Sequence, residues 1–410
     1  MTASIRRVDL AKATPAALES LDKACDPATF GVNQTDVLDT SYRKAGKLDK
    51  SHFSLNLDVE AAGLLEAART GLFSGKDEKV SIHAELYKLN VYGTRSSLVI
   101  LDVSELPLGK GAFFKAHKDT PRGATMFGSL VLVLPTQHEG GTLVLRHERQ
   151  EWSFDAAHLV SPLPHAEPSA AYVAFFSDVE HEVLPVTSGY RVTVTYNLYF
   201  VDPRDDKQQL LSVDVIQPKS ARKPEVKSTL CALLRDAAFL PNGGTLGFGL
   251  RHLYPLPTQF SGHDDDTLDV LAGRLKGADS ALLRACIELS LAPALYTVFE
   301  DVEDGAQEAR ALVACPCVVK LDTHDYDEGQ PLWEKLCAHF HGVLVNPASV
   351  PQGGHVESRR VHWVTPLSDV NRVKTQFAAY GNEPMMGYLY QRVCLLASVG
   401  PPGQRRMVGR

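Results

Sequence analysis

The sequence predicts an α+β protein whose middle third is a β sandwich or closed double sheet. Three observations predict it. Short alternating or β-branched runs recur between residues 82 and 200. They are separated by Gly and Pro turns rather than by helical segments, which argues against a parallel sheet. On both sides of them apolar residues recur at helical spacing, over Pro15–Asp26 and Asp58–Ser74 before and Ser228–Leu240 and Ala281–Leu291 after.

The elements follow in order. Residues 1–80 read as an N-terminal helical support region, with the polar stretch from Tyr42 to Lys47 as surface loop. From Ala84 to Tyr92 the period is two: Tyr87, Leu89 and Val91 share one face, Lys88, Asn90 and Tyr92 the other. An apolar run at Leu98–Val103 follows. Ser129–Leu134 is a buried strand by length and β-branching. Gly140 and Gly141 form a turn, because paired glycines permit positive φ. Thr142–Arg146 and Tyr172–Phe176 are further strands, and Val192, Val194, Tyr196 and Leu198 alternate with Arg191, Thr193, Thr195 and Asn197. The mixed-charge stretch 201–226 reads as a linker, and 227–410 as a C-terminal α+β domain of unknown role, with strands at Ala311–Leu321 and Val361–Val364.

Composition sets outer limits. The chain has 410 residues, 44% hydrophobic and 22% charged, with net charge −7. That is ordinary globular material, and the acidic balance argues against a nucleic-acid-coating protein. Seven scattered cysteines suit reduced thiols better than a disulfide framework. No signal-peptide core or membrane-length apolar run is present, so a cytoplasmic or nuclear protein without a membrane partner is expected. Oligomeric state has no signature.

The chemistry concentrates at Phe113–Arg122. In an extended chain His117 and Asp119 point the same way. His181 supplies a third donor, and two His plus one carboxylate with open positions is the donor set of non-haem Fe(II) oxygenases. Spacing alone is weak: about one His-x-Asp is expected by chance in a chain of this composition. A second copy occurs at His263–Asp265, with no strand pattern around it. His83 with Glu85 is a similar decoy. Ordinary strand-end histidines would produce the same spacing. Arg191 adds weight. Ten extended residues after His181 would lie roughly 33 Å away, but a turn at Pro185–Gly189 folds the chain back. A guanidinium inside a barrel needs a partner, and a bound carboxylate would be one. Cys315 and Cys317 sit in an apolar strand pattern, without a second pair at zinc-site spacing. His138, His147, His158 and His165 read as loop or sheet-edge residues.

Taken together, Phe113–Pro121, the Glu-Gly-Gly-Thr-Leu run at 139–143, Asp178–Val183 and Gly189–Thr193 resemble the Fe(II)- and 2-oxoglutarate-dependent dioxygenases, in particular the prolyl 4-hydroxylase-like branch and its fungal members. The resemblance covers residues 84–200. It implies a double-stranded β-helix (jelly-roll) domain at 81–200. His117, Asp119 and His181 would hold Fe(II). Arg191 and Thr193 would hold the distal carboxylate of 2-oxoglutarate, with Tyr92 beside it. O2 would be the other co-substrate and ascorbate a candidate reductant. The reaction would hydroxylate an unidentified small molecule or protein, peptidyl proline among them, releasing succinate and CO2. The chain departs from the family in an extra stretch, Thr94–Gly109, and in carrying Arg191 where many prolyl 4-hydroxylases carry Lys. Two rival readings are a zinc hydrolase using the same donors and a catalytically silent binding protein on an oxygenase scaffold.

Overall fold

The alternation from Val186 to Phe200 ends with both of its faces buried. Val192, Val194 and Leu198 are 0% exposed, yet Arg191 and Thr193 between them are 1% exposed. A strand covered on both sides needs a layer above and a layer below. The computed structural model supplies both. It describes residues 7–32, 35–73, 80–93, 111–120, 122–123, 125–160, 168–201, 225–254, 267–301, 311–319, 332–347, 357–367, 372–379 and 385–405. The chain forms two units, Met1–Gln217 and Pro218–Arg410.

The first unit holds helix α1 (Pro15–Ala24), strands β1 (Asp26–Pro27), β2 (Phe30–Val32), β3 (Thr35–Val37), β4 (Arg43–Lys44) and β5 (Gly46–Asp49), then helix α2 (Leu64–Leu72). Next come β6 (Ile82–Gly93), β7 (Phe113–His117), β8 (Met126–Val133), β9 (His138–Gly140), β10 (Leu143–His147) and β11 (Gln150–Phe154). A one-turn helix α3 (Ala157–Val160) precedes β12 (Ala171–Phe176), β13 (Glu180–Val183) and β14 (Val186–Phe200). One sheet runs β1-β5-β6-β14-β8-β12, with β9 also paired to β14; a second runs β11-β10-β13-β7-β4. Both are antiparallel, and together they form the jelly-roll core.

The apolar face of β14 packs with Leu89, Val91, Leu130 and Leu132 of its own sheet and under the N-terminal helices. Helix α1 starts where the sequence marks a start. Thr14 caps it by accepting from the Ala17 amide, and Pro15 needs no amide partner there. Helix α2 begins six residues later than its spacing predicts. The Asp58 side chain accepts from the Glu60 and Ala61 amides in a turn, and Gly63 takes φ 72°, a conformation that ends rather than continues a helix. Phe73, just beyond α2, packs edge-on against Phe127 and Phe176, with ring centroids 5.2 and 5.8 Å away.

The stretch expected as surface loop at 42–47 is structured. Arg43 pairs in register with Phe114, and Gly46–Asp49 pair with β6. Strands of two and four residues are too short to carry a readable period, so the pattern could not show them. The first 80 residues therefore contribute sheet as well as helix.

The second unit contains α4 (Glu225–Arg235), β15 (Gly244–Gly249), α5 (Thr267–Ala272), α6 (Gly277–Glu288), β16 (Ala294–Asp301), β17 (Ala311–Cys315), α7 (Leu332–His339) and β18 (Val343–Val345). It ends with β19 (Ser358–Arg359), β20 (Val361–Thr365), β21 (Arg372–Ala379) and β22 (Met385–Val399). These strands form one mixed sheet, with β15–β20 and β18–β19 parallel. The strand expected over Ala311–Leu321 stops at Cys315. All seven cysteines are free thiols. Among the described residues no helix is long and apolar enough to cross a membrane. The extra stretch at 94–109, residues 202–224 of the expected linker and the decoy at His263–Asp265 lie outside the described residues.

The Gly140–Gly141 turn has a packing reason as well as a conformational one. Both glycines have positive φ, and a Cβ on Gly141 would come 2.7 Å from Arg191 Cδ and 2.9 Å from Val186 Cγ2. Gly141→Ala is expected to destabilise the fold by about 1–3 kcal/mol, measured by denaturant unfolding; an unchanged midpoint would show that the turn relaxes freely.

Candidate active site

Strand register brings the two histidines together. β7 and β13 are antiparallel neighbours, and His117 pairs directly with His181. Their ring centroids are 4.2 Å apart. Asp119 lies two residues past the end of β7, where its amide donates to the Ser177 carbonyl at 3.1 Å. Its Oδ2 accepts from Ser129 Oγ at 2.6 Å, and its Oδ1 is 3.8 Å from His181 Nε2. One donor atom from each of the three residues lies within 4.8 Å of the other two.

The backbone also sets the tautomers. His117 Nδ1 faces the Lys115 carbonyl at 2.8 Å, and His181 Nδ1 faces the Val179 carbonyl at 3.1 Å. A carbonyl can only accept, so each Nδ1 carries the proton and each Nε2 keeps a lone pair for a metal. Phe114 stacks on His117 with centroids 3.5 Å apart, and Phe175 packs on His181 at 4.7 Å. Burial, helped by the neighbouring His181, pushes the His117 pKa down to about 3. The imidazole is therefore neutral, the form that coordinates. Two imidazole nitrogens and one carboxylate fit Fe(II).

The second part of the site comes from the polar face of β14 and its partner β6. Register sets Arg191 opposite Tyr92, Thr193 opposite Asn90 and Thr195 opposite Lys88. The Arg191 guanidinium lies 5.4 Å from the Tyr92 ring centroid. Its Nε and Nη2 are buried without a hydrogen-bond partner, and desolvation lowers its pKa. An uncompensated buried charge costs several kcal/mol. Arginine does not shed its proton in proteins, so the chemistry of the position asks for an anion. A carboxylate matches the guanidinium fork. Tyr92, His117, Asp119, His181, Arg191 and Thr193 all line one cavity of about 740 Å3.

Other lining residues went unread in the sequence: Arg43, Tyr87, Lys88, Asn90, Arg122 and Ser129. Lys88 and Asn90 did carry a signal, sharing the Tyr92 face of an alternating strand. Arg43 carried none. Its guanidinium donates to the Thr29 carbonyl at 2.7 Å and to Asn90 Oδ1 at 2.8 Å, and lies 4.3 Å from the Phe114 centroid. His138, expected at a loop or edge, is buried on β9 with Nδ1 against the Thr136 carbonyl. It is not part of the cavity lining.

Residues 101–199 match the model of the 2OG-Fe(II) oxygenase superfamily. The matched stretch lies within the N-terminal unit and carries His117, Asp119, His181, Arg191 and Thr193, and the reactants of that superfamily are Fe(II), 2-oxoglutarate and O2. Among solved structures, a Pseudomonas putida prolyl-4-hydroxylase is similar at 20% identity, over 46% of this chain and 86% of that one, with a TM-score of 0.27. A Burkholderia pseudomallei oxidoreductase of the 2OG-Fe(II) oxygenase family is similar at 15% identity, over 45% and 77%, with a TM-score of 0.24. A viral collagen prolyl hydroxylase from Paramecium Bursaria Chlorella virus-1, in complex with 2OG, is similar at 15% identity, over 47% and 94%, with a TM-score of 0.23. No curated protein matches the chain.

Lys88 carries a cost of its own. Burial first, then the nearby Lys47 and Arg43, bring its pKa down from 10.5 to about 8, against an opposing pull from Asp49. Because the folded pKa is the lower one, the penalty is complete below pH 8 and is relieved as pH rises towards 10.5. Lys88→Met is therefore expected to stabilise the fold by on the order of 2 kcal/mol at pH 7. The gain should shrink between pH 8 and 10.5; unfolding midpoints across that range check it, and a pH-independent difference would contradict it.

Proposed function

We propose that the N-terminal unit is a 2-oxoglutarate-dependent hydroxylase in which His117, Asp119 and His181 hold Fe(II) and Arg191 holds the distal carboxylate of 2-oxoglutarate. The single observation that carries the reading is a buried, unpartnered guanidinium lining the same cavity as a His-Asp-His set. When bound, iron and 2-oxoglutarate supply the oxidation: one O2 and one 2-oxoglutarate give succinate, CO2 and one hydroxyl on a substrate carbon.

The chain's own residues orient the site. Ser129 fixes the Asp119 carboxylate by donating to Oδ2, which leaves Oδ1 for the metal. The Lys115 and Val179 carbonyls each hold one imidazole in a fixed tautomer and orientation. Phe114 stacks on the His117 ring and Phe175 packs on the His181 ring, which limits their reorientation. Thr193, beside Arg191 on the same polar face of β14, offers a hydroxyl to the carboxylate that Arg191 grips, and Tyr92 closes the other side of the guanidinium.

A zinc hydrolase could use the same three donors, but hydrolysis gives no task to a buried guanidinium. The silent-scaffold reading would suit a site with a donor replaced, and here all three donors converge.

His117→Ala and His181→Ala are each expected to abolish 2-oxoglutarate-dependent succinate release while the circular dichroism spectrum stays that of the native chain. Undiminished succinate from either variant would remove the histidines from the site. Arg191→Ala should raise the 2-oxoglutarate concentration for half-maximal turnover about 10- to 100-fold, the loss of a charge-assisted pair. An unchanged requirement would place the anchor elsewhere.

A further inference from the structure

The charge on the cavity wall is larger than the proposed reactants need. Arg43, Lys88, Lys118, Arg122 and Arg191 line it, against a single carboxylate, Asp119, among the described residues. In formal charge, Fe(II) with the Asp119 carboxylate leaves one positive charge, and Arg191 adds another. The two carboxylates of 2-oxoglutarate cancel both. Every other cation on the wall is then left over, in a chain whose net charge is −7.

Three of these cations are built into one place. Along β6 the register with β14 slips: Thr195 pairs with Lys88 and Tyr196 with Leu86, so Tyr87 is an extra residue. Such a bulge re-aims side chains, and Tyr87 and Lys88 both line the cavity although they are consecutive in a strand. Lys88 Nζ lies 4.6 Å from the Tyr87 ring centroid and the Arg122 guanidinium 4.5 Å from it. Arg122 also donates to the Tyr87 hydroxyl. Arg43 and Arg122 both press electrostatically on Lys88. The carboxylate that acts on Lys88 is Asp49, paired in register with it on β5, and it is already engaged by Lys47 at 3.4 Å. Lys88 is 8% exposed, so its ammonium is shielded from bulk water but open to the cavity. Like charges gathered at a half-dry wall are unfavourable until an anion arrives.

We infer that Lys88 and Arg122, both set on the Tyr87 ring, together with Arg43, which acts on Lys88 from the same cavity wall, form a second anion site in this cavity, which binds a carboxylate or phosphate group of the primary substrate. The substrate class is thereby an oxyanion-bearing molecule, held by its charge while another of its carbons faces His117, Asp119 and His181. The inference rests on the oxygenase reading for the word substrate, but the anion site itself rests on the wall. Aromatic and cationic groups interleaved in this way favour a compact, multiply charged group over a neutral one.

The test is a set of calorimetric titrations of the full chain loaded with Mn(II) and saturating 2-oxoglutarate, so that the Arg191 position is filled. The probes are inorganic phosphate, glycerol phosphate, a glutamate-rich pentapeptide and its glutamine-rich counterpart. One equivalent of an anionic probe should bind, and Lys88→Met and Arg122→Gln should each weaken it about tenfold, with 2-oxoglutarate affinity changed less than about twofold. Arg122 is exposed, so its variant keeps the site testable should Lys88→Met disturb the strand. Binding of the free phosphates identifies a small-molecule anion; binding of the glutamate peptide alone identifies an acidic side chain. Equal binding of the glutamine peptide, no binding of any anionic probe, or unchanged binding in both variants overturns the site. So does a loss of 2-oxoglutarate affinity in Lys88→Met as large as in Arg191→Ala, which would make Lys88 part of the co-substrate grip. If 2-oxoglutarate itself fails to bind, the oxygenase reading falls alone: phosphate titrated into the metal-free chain still reports the anion site, through loss in Lys88→Met and retention in Arg191→Ala.

Discussion

A guanidinium that is 1% exposed and lacks partners at two nitrogens is the constraint around which the N-terminal unit is arranged. Left in a dry interior with nothing to bind, Arg191 is a liability of several kcal/mol. The structure does not relieve it. Gly141 is pared down to make room for its methylenes, and Tyr92 covers one side of it. Among the described residues no carboxylate pairs with it. Structure that is spent to hold a charge unpaired is intelligible when the partner arrives with the reaction.

The same logic, register before chemistry, builds the rest of the site. Antiparallel pairing of β7 with β13 sets one imidazole against the other, and pairing of β6 with β14 sets a column of polar residues beside Arg191. Neither arrangement depends on a loop. Groups carried by sheet strands are held more closely than groups on loops, which suits donors that must stay within a few ångströms of one another. Asp119 is the exception, two residues beyond β7, and it is tethered twice: its amide donates a hydrogen bond to the Ser177 carbonyl and its carboxylate accepts one from the Ser129 hydroxyl.

The period-two signal made much of this legible in the sequence. The spacing of His117 and Asp119, the alternation of β14 and the Lys88–Asn90–Tyr92 face of β6 follow from side chains alternating across a strand. Pairing between strands distant in sequence was not legible, because period says which residues share a face and not which strand lies opposite. Hence the direct pairing of His117 with His181 is a property of the folded sheet that no local pattern carries. Arg43 was missed for a different reason. It sits in a two-residue strand within a polar stretch, and its burial is offset by Thr29, Asn90 and Phe114 from three separate parts of the chain. The late start of α2 was hidden as well, since an Asp turn and a left-handed glycine override helix-like spacing.

Why the polar column lies on β14 rather than on a peripheral strand follows from what its other face does. Val192, Val194 and Leu198 are fully buried, beside Leu130 and Phe127 of the adjoining strand, which are fully buried too. Complete burial of such a side chain stabilises by roughly 1.5–3 kcal/mol. The three on β14 together are of the size needed to offset one unpaired guanidinium. An edge strand such as β11, exposed along most of its length, has no comparable surplus. Moving the anchor there would both unbury the charge, weakening its grip on a carboxylate, and remove the apolar packing that tolerates it. An interior strand is therefore a position in this fold where a dry cation and a stable core coexist.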